Sequence, residues 1–166
     1  ANDYTYIWVL VAPATGTANI VISCAAGGYV KAVCSSWSGV DQTTPVSASV
    51  KAVGSSYPSP WSRTVTVASG GVAVDHVMLR SASITPTPDA SQIGGMVNGT
   101  LSRTSGSYKT NTGSTPMVWT WTGTAPDISG AVIALAPASG GGGGGTDPSL
   151  VTNRNLFGRA HYGIRR

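Results

Sequence analysis

The chain is poor in charge. Only 10% of its 166 residues are charged, where about 25% is usual for a soluble domain. It has no glutamate, so its acid–base groups amount to six aspartates and two histidines. No apolar run approaches the roughly 18 residues that span a bilayer, because Pro13 closes the apolar stretch of residues 6–14. These absences disfavour an acid–base enzyme and give no sign of a transmembrane helix.

The few titratable residues do not form a recognisable catalytic pattern. Asp75 and His76 are adjacent, but neighbours on a strand point to opposite faces of a sheet. The chain has no G-x-S-x-G nucleophile turn and no phosphate-binding glycine loop. We therefore predict no enzymatic activity, no catalytic residues and no cofactor. A glycosidase that pairs two carboxylates is the enzyme alternative.

The two cysteines, Cys24 and Cys34, flank a pair of glycines that predicts a hairpin turn. The hairpin would place the two thiols opposite one another, which allows a disulfide if they occupy a non-hydrogen-bonded pair. The alternative is two buried thiols that act as small hydrophobic side chains. Zinc sites use about four ligands, and His76 and His161 lie far along the chain from both cysteines. No metal site is predicted.

Alternation of apolar and polar residues is the main pattern of residues 1–139. Val, Thr, Ser and Ala are abundant, which favours strands over helices. Strands are predicted at residues 4–11, 17–24, 29–37, 46–53, 61–67, 71–79, 107–110, 117–122 and 130–136, and residues 82–106 are expected to form a long loop. Short strands separated by frequent turns predict an all-β fold, an antiparallel β-sandwich of the jelly-roll or immunoglobulin-like type.

The tryptophans allow two interpretations. Trp119 and Trp121 share one face of the segment MVWTWT, and threonines line the other face, which favours a buried aromatic row. Alternatively, this row stacks on a sugar, together with Trp37 and Trp61, whose positions near loop ends are compatible with exposed rings. Trp8 lies in an apolar segment and is expected in the core.

Six consecutive glycines, residues 140–145, link the predicted sandwich to a C-terminal tail, residues 146–166. The tail has four arginines and one aspartate, a net charge of +3, whereas residues 1–145 have six basic residues and five aspartates, a net charge of +1. Such a segment can order on a partner by burying apolar anchors while its arginines bind carboxylates or phosphates. The candidate partner-binding residues are Arg154, Leu156, Phe157, Arg159, Tyr162, Ile164, Arg165 and Arg166.

A protein partner is expected for this tail. The predicted sandwich is nearly neutral, whereas a nucleic-acid-binding domain usually carries its positive charge on the folded face. A contact with nucleic acid and a passive flexible tail remain the alternatives. No membrane partner is expected.

Five segments share a pattern with one group of domains. They are residues 6–22 (YIWVLVAPATGTANIVI), 38–46 (SGVDQTTPV), 106–109 (GSYK), 116–121 (PMVWTW) and 131–135 (AVIAL), of which GVDQTTPV is the most specific. Together they resemble a recurring β-sandwich domain of phage virion proteins, such as head decoration and tail-fibre proteins, and of bacterial surface proteins. The resemblance implies a structural or adhesive role and supplies no catalytic residues.

The chain departs from that family in two ways. Family members usually carry further strands before the first hairpin, and the glycine run and basic tail have no counterpart. A shortened sandwich would expose strand edges, which can pair with another chain.

We therefore expect a non-enzymatic structural protein on the exterior of a phage virion, most consistent with a head decoration subunit. It would dock on other virion subunits, and on copies of itself, through its tail and open strand edges. The alternatives are a tail-fibre or adhesion protein, and a secreted or cell-surface carbohydrate-binding module.

Overall fold

The computed structural model describes residues 5–13, 20–22, 31–81, 83–97, 102–123 and 127–139. These residues form eight strands in two antiparallel sheets that pack face to face, which confirms the predicted β-sandwich. The strands are β1 (Val46–Gly54), β2 (Trp61–Val67), β3 (Val72–Leu79), β4 (Thr87–Pro88), β5 (Ile93–Val97), β6 (Arg103–Thr110), β7 (Gly113–Thr120) and β8 (Ile128–Leu135).

One sheet has five strands in the order β1-β8-β3-β6-β5, and the other has three in the order β2-β7-β4. The alternating sequence decides which side chains point inward. On β3, the odd-numbered residues from Ala73 to Leu79 face the three-stranded sheet, and on β7 the residues Thr115, Met117 and Trp119 face back. The core between the sheets is therefore built from one face of each strand.

Trp61 and Trp119 lie at the centre of this core. The register of β2 and β7 places them directly opposite one another, and both rings are fully buried. Gly130 of β8 faces Trp61, and a Cβ atom at that position would lie 2.6 Å from Trp61 Cζ2. The sequence therefore places one of the largest side chains of the core, Trp61, against a residue that has no side chain.

The outer face of the five-stranded sheet is covered by the segment that precedes β1. Val40 packs on Val72, Ile133 and Leu135, and Ile7 and Trp37 pack on the same cluster. Along the described residues the molecule thus has three layers. The N-terminal layer lies on the side of β3 and β8 that faces away from the sandwich core.

Two of the predictions for the N-terminal layer are wrong. Residues 5–11 and 31–37 have no strand assignment, although both were predicted as strands. Their side chains pack on the outer face of the five-stranded sheet, but their backbone is not assigned to any strand of that sheet. This packing accounts for their apolar composition. The predicted strand at residues 17–24 lies mostly outside the described residues.

The predicted loop at residues 82–106 is also wrong. It contains β4, β5 and the beginning of β6. This glycine-rich segment pairs closely with β6 because Gly94 of β5 has no side chain. A Cβ atom at Gly94 would lie 2.9 Å from Ser107 Cβ on β6. Tertiary contacts outweigh the low strand propensity of glycine at this position.

Candidate docking surfaces

The most polar feature of the core is Asp75, in the middle of β3. Its carboxylate is 3% exposed and accepts three hydrogen bonds. Oδ1 accepts from the Ser107 backbone N–H at 2.7 Å and from Ser107 Oγ at 2.8 Å, and Oδ2 accepts from Trp119 Nε1 at 2.6 Å. Asp75 therefore joins the two sheets through a side-chain contact.

Gln92 extends this buried network to the backbone of β7. Its Nε2 donates to Ser107 Oγ at 2.7 Å, and its Oε1 accepts from the Val118 backbone N–H at 2.6 Å. Buried polar groups that satisfy one another in this way fix the relative position of the strands that carry them. The network is a structural clamp, closed to solvent.

The carboxyl of Asp75 is costly to ionise in this position. Burial raises its pKa from 3.8 to about 6, and the hydrogen bonds from Ser107 and Trp119, which favour the charged form, offset this effect only in part. His76 points to the opposite face of the sheet, as the sequence predicts. Burial lowers its pKa from 6.5 to about 4. The two groups are adjacent along the chain but do not form an acid–base pair.

The segment GVDQTTPV, which carries the most specific part of the resemblance, forms a loop that ties three parts of the chain together. Asp41 Oδ1 accepts from the backbone N–H groups of Thr43 and Thr44, each at 2.7 Å. Gln42 Oε1 accepts from the Ala12 N–H at 2.9 Å. The Asp41 N–H donates to the Ala136 carbonyl at 3.0 Å, just beyond β8. The motif therefore has a structural role that its sequence alone does not show.

Three of the candidate sugar-stacking tryptophans are buried. Trp119 and Trp121 are 1% and 7% exposed, as their interpretation as core residues predicts, and Trp61 is fully buried although its position is compatible with an exposed ring. Trp37 packs edge-on against Tyr108, with 5.0 Å between ring centroids. The buried rings present no face to a sugar, so the carbohydrate-binding alternative loses its main residues.

Several candidate residues lie outside the described part of the chain. They are the glycine linker, all of the tail residues from Arg154 to Arg166, and Cys24. Cys34 is described and is half-buried. The anchoring tail and the disulfide between Cys24 and Cys34 therefore stay predictions.

The first candidate docking surface is apolar and lies on the N-terminal segment. We call Tyr6, Trp8, Val9, Leu10 and Val11 the N-terminal apolar surface. Trp8 is 75% exposed and Leu10 is 78% exposed, so the prediction that Trp8 belongs to the core is wrong. Tyr6 stacks on Trp8 with 5.5 Å between their ring centroids. The run of consecutive apolar residues is the sequence feature that indicates this surface. Only one side of an extended segment can face the sheet, so apolar residues on the other side are left exposed.

Covering this surface would be energetically favourable, because much of its apolar area is exposed to water. A tryptophan buries about 200 Å² when it is fully covered, so about 150 Å² of Trp8 remains in water, and covering it would contribute about 3 to 4 kcal/mol. Contiguous exposed apolar residues on a soluble protein mark interaction sites. The segment around Trp8 is therefore a candidate for contact with another polypeptide.

The second candidate docking surface is the edge of β1 that no other described strand pairs with, which we call the free edge of β1. This strand has nine residues, contains no proline and carries Lys51 as its single charged residue. It pairs with β8 on one side and forms the outer edge of its sheet. Alternate residues of such a strand direct their N–H and C=O groups outward. By contrast, β4 has two residues, one of them Pro88, and β5 contains two glycines.

No protein-family model, curated protein or solved structure matches this chain. Within the described residues, no helix is long and apolar enough to cross a membrane. The same residues contain no group of three or more His, Cys, Asp or Glu side chains placed to hold a metal ion. The resemblance to virion and surface domains therefore stays a prediction.

Proposed function

We propose that the chain is a non-enzymatic structural subunit that functions by docking on other proteins. The observation that carries this proposal is the N-terminal apolar surface, where Tyr6, Trp8 and Leu10 are each at least 60% exposed. An isolated soluble domain gains nothing from leaving such side chains in water, whereas a docking subunit buries them on its partner. The free edge of β1 adds backbone groups that can extend the sheet onto a second chain.

The roles of the titratable residues favour docking over catalysis. Asp75 is bonded to Ser107 and Trp119 inside the core, and Asp41 is bonded to the backbone of its own loop. Asp89 accepts from the Ser91 backbone N–H at 3.0 Å and caps a turn. These carboxylates hold strands and turns in place.

The assembly that we propose is the exterior of a phage virion, with the chain as a head decoration subunit. This part rests on the resemblance of the GVDQTTPV and MVWTWT segments to virion domains. It also rests on a surface that is poor in charge and rich in hydroxyl groups. In this proposal the tail is a further anchor, with Phe157 and Tyr162 as apolar contacts.

The test uses purified particles from the host that carries the coding sequence. The proposal predicts that mass spectrometry finds the chain in many copies per particle and that immunogold labels the particle surface. Deletion of residues 146–166, or the double substitution Trp8→Ser and Leu10→Ser, is expected to leave a folded protein that no longer incorporates. Ile93→Ser, at a residue 56% exposed on β5, is the matched control and is expected to incorporate normally. Particles that lack the chain, or that take up the double variant as well as the control, would contradict the proposal.

A further inference from the structure

The described chain ends close to the N-terminal apolar surface. Ser139 is its last residue, and Ser139 Oγ donates to Asp41 Oδ2 at 3.3 Å. The next residue, Gln42, accepts the Ala12 N–H at 2.9 Å. Two side-chain hydrogen bonds and one Cα–Cα step thus separate Ser139 from Ala12. At about 3.8 Å per step and similar side-chain lengths, the whole path is no longer than about 20 Å.

The glycine linker that follows Ser139 is long enough to cover the path to Ala12, the residue after the N-terminal apolar surface. Six glycines have a root-mean-square span of about 13 Å and a maximum reach of about 20 Å. An intramolecular connection that is long enough to reach a site raises the local concentration of the attached peptide to about the millimolar range. Residues 146–166 can therefore reach the N-terminal apolar surface of their own chain.

The chemistry of the tail suits this surface. Leu156, Phe157, Tyr162 and Ile164 are apolar or aromatic side chains in a segment with one aspartate and four arginines. The surface offers exposed apolar and aromatic side chains. Asp41 at its border stays ionised, because hydrogen bonds from the Thr44 and Thr43 backbone hold its pKa below the usual value. On this surface, apolar anchors of the tail would find apolar residues and its arginines would find a carboxylate.

We propose that the C-terminal tail, residues 146–166, docks on the N-terminal apolar surface of the same chain and covers Trp8 and Leu10 in the free subunit. The inference is independent of the proposed function, because it concerns the isolated chain. It goes beyond that function by assigning the tail a binding site within the molecule. When a subunit joins an assembly, the same surface and the same tail can exchange this intramolecular contact for contacts with a partner.

The test is a photo-crosslink within the complete chain, residues 1–166. We would place p-benzoylphenylalanine at position 8, which is 75% exposed and tolerates the larger ring, and at position 53 as a control. Val53 is 70% exposed and lies at the end of β1 that is remote from Asp41. After irradiation, the expected product has monomer mass and joins position 8 to a peptide from residues 146–166. The control position is expected to give no such product.

Two further measurements make the outcome decisive. Substitution of Phe157 and Tyr162 by serine is expected to lower the crosslink yield about tenfold or more, because it removes the two largest apolar anchors of the tail. Hydrogen exchange on the chain without any photoreactive residue should show faster exchange at residues 6–11 when residues 146–166 are deleted. A crosslink found only in dimers, a crosslink to another segment, or exchange unchanged by the deletion would each overturn the proposal.

Discussion

The contributions of Asp75 and His76 to the stability of the fold change in opposite directions as the pH falls. The folded pKa of Asp75, about 6, is raised above its unfolded value of 3.8, so its contribution to stability is present at low pH and is lost as the pH rises through 6. The folded pKa of His76, about 4, is lowered below its unfolded value of 6.5. Its contribution is present above pH 6.5 and is lost as the pH falls through 4.

The two contributions are similar in size between pH 7 and pH 4.5. From the pKa values of the folded and unfolded forms, acidification to pH 4.5 makes Asp75 stabilise the fold by about 2 kcal/mol and makes His76 destabilise it by about 2 kcal/mol. The unmodified protein is therefore expected to change its free energy of unfolding by less than about 1 kcal/mol over this range. Asp41 and Asp89, whose pKa values are lowered, lose their contributions only below it.

Single substitutions separate the two responses. His76→Gln should leave only the response of Asp75, so the free energy of unfolding should increase by about 2 kcal/mol from pH 7 to pH 4.5. Asp75→Asn should leave only the response of His76 and should give a decrease of about 2 kcal/mol, on top of a lower stability at both pH values. Urea unfolding followed by tryptophan fluorescence measures both slopes, because Trp119 reports directly on the buried network. If the free energy of unfolding changed in the same direction between pH 7 and pH 4.5 in both variants, the reasoning would be refuted.

Three other substitutions test the packing and the loop contacts. Gly130→Ala places a methyl carbon 2.6 Å from Trp61 Cζ2, well inside van der Waals contact, and should lower the free energy of unfolding by about 1 to 3 kcal/mol in a urea titration. Trp119→Phe removes a donor from the buried carboxylate and should cost about 1.5 to 3 kcal/mol, more at pH 7 than at pH 4.5. Gln42→Ala removes the acceptor of the Ala12 N–H, so amide exchange should accelerate at Ala12 and its neighbour Val11, while overall stability changes by less than about 0.5 kcal/mol.

Each of these three predictions has an outcome that would contradict it. Full stability of Gly130→Ala would mean that Trp61 is free to move, contrary to its position at the centre of the core. A cost of Trp119→Phe that does not depend on pH would show that the indole N–H does not serve the ionised carboxylate. If Gln42→Ala leaves the amide exchange of Ala12 and Val11 unchanged, the loop does not hold the N-terminal segment in place.

The strands with regular alternation could be predicted from the sequence. Trp61–Val67 was predicted with its observed bounds, and residues 46–53 and 71–79 differ from the observed β1 and β3 by one residue at one end. Residues 46–53 and 61–67 were predicted from their alternation of apolar and polar residues, and residues 71–79 from a nearly continuous apolar run, which is typical of a buried strand. The start of β6, Arg103 to Gly106, has no such pattern. It is a strand because β3 and β5 pair with it on both sides.

The candidate docking surfaces were harder to predict. Residues 6–11 have the composition of a core strand, and only the three-dimensional structure shows that one side of the segment covers a sheet while Trp8 and Leu10 face outward. The role of Asp75 was equally hidden, because its partners Ser107 and Trp119 lie 32 and 44 residues away along the chain. Open edges were predicted from the resemblance, but only the strand order shows that β1 is one of the edge strands among the described residues.

The most direct test of the proposed docking role is hydrogen exchange measured by mass spectrometry on the isolated chain without residues 146–166, which leaves the N-terminal apolar surface uncovered, and on the complete chain in purified particles. The account predicts that residues 6–11 and 46–54 exchange more slowly in the particle, because docking covers the N-terminal apolar surface and the free edge of β1. The buried strand β3, already protected, should serve as the internal reference. Equal exchange of both segments in the two states, or failure of the chain to join any particle, would contradict it.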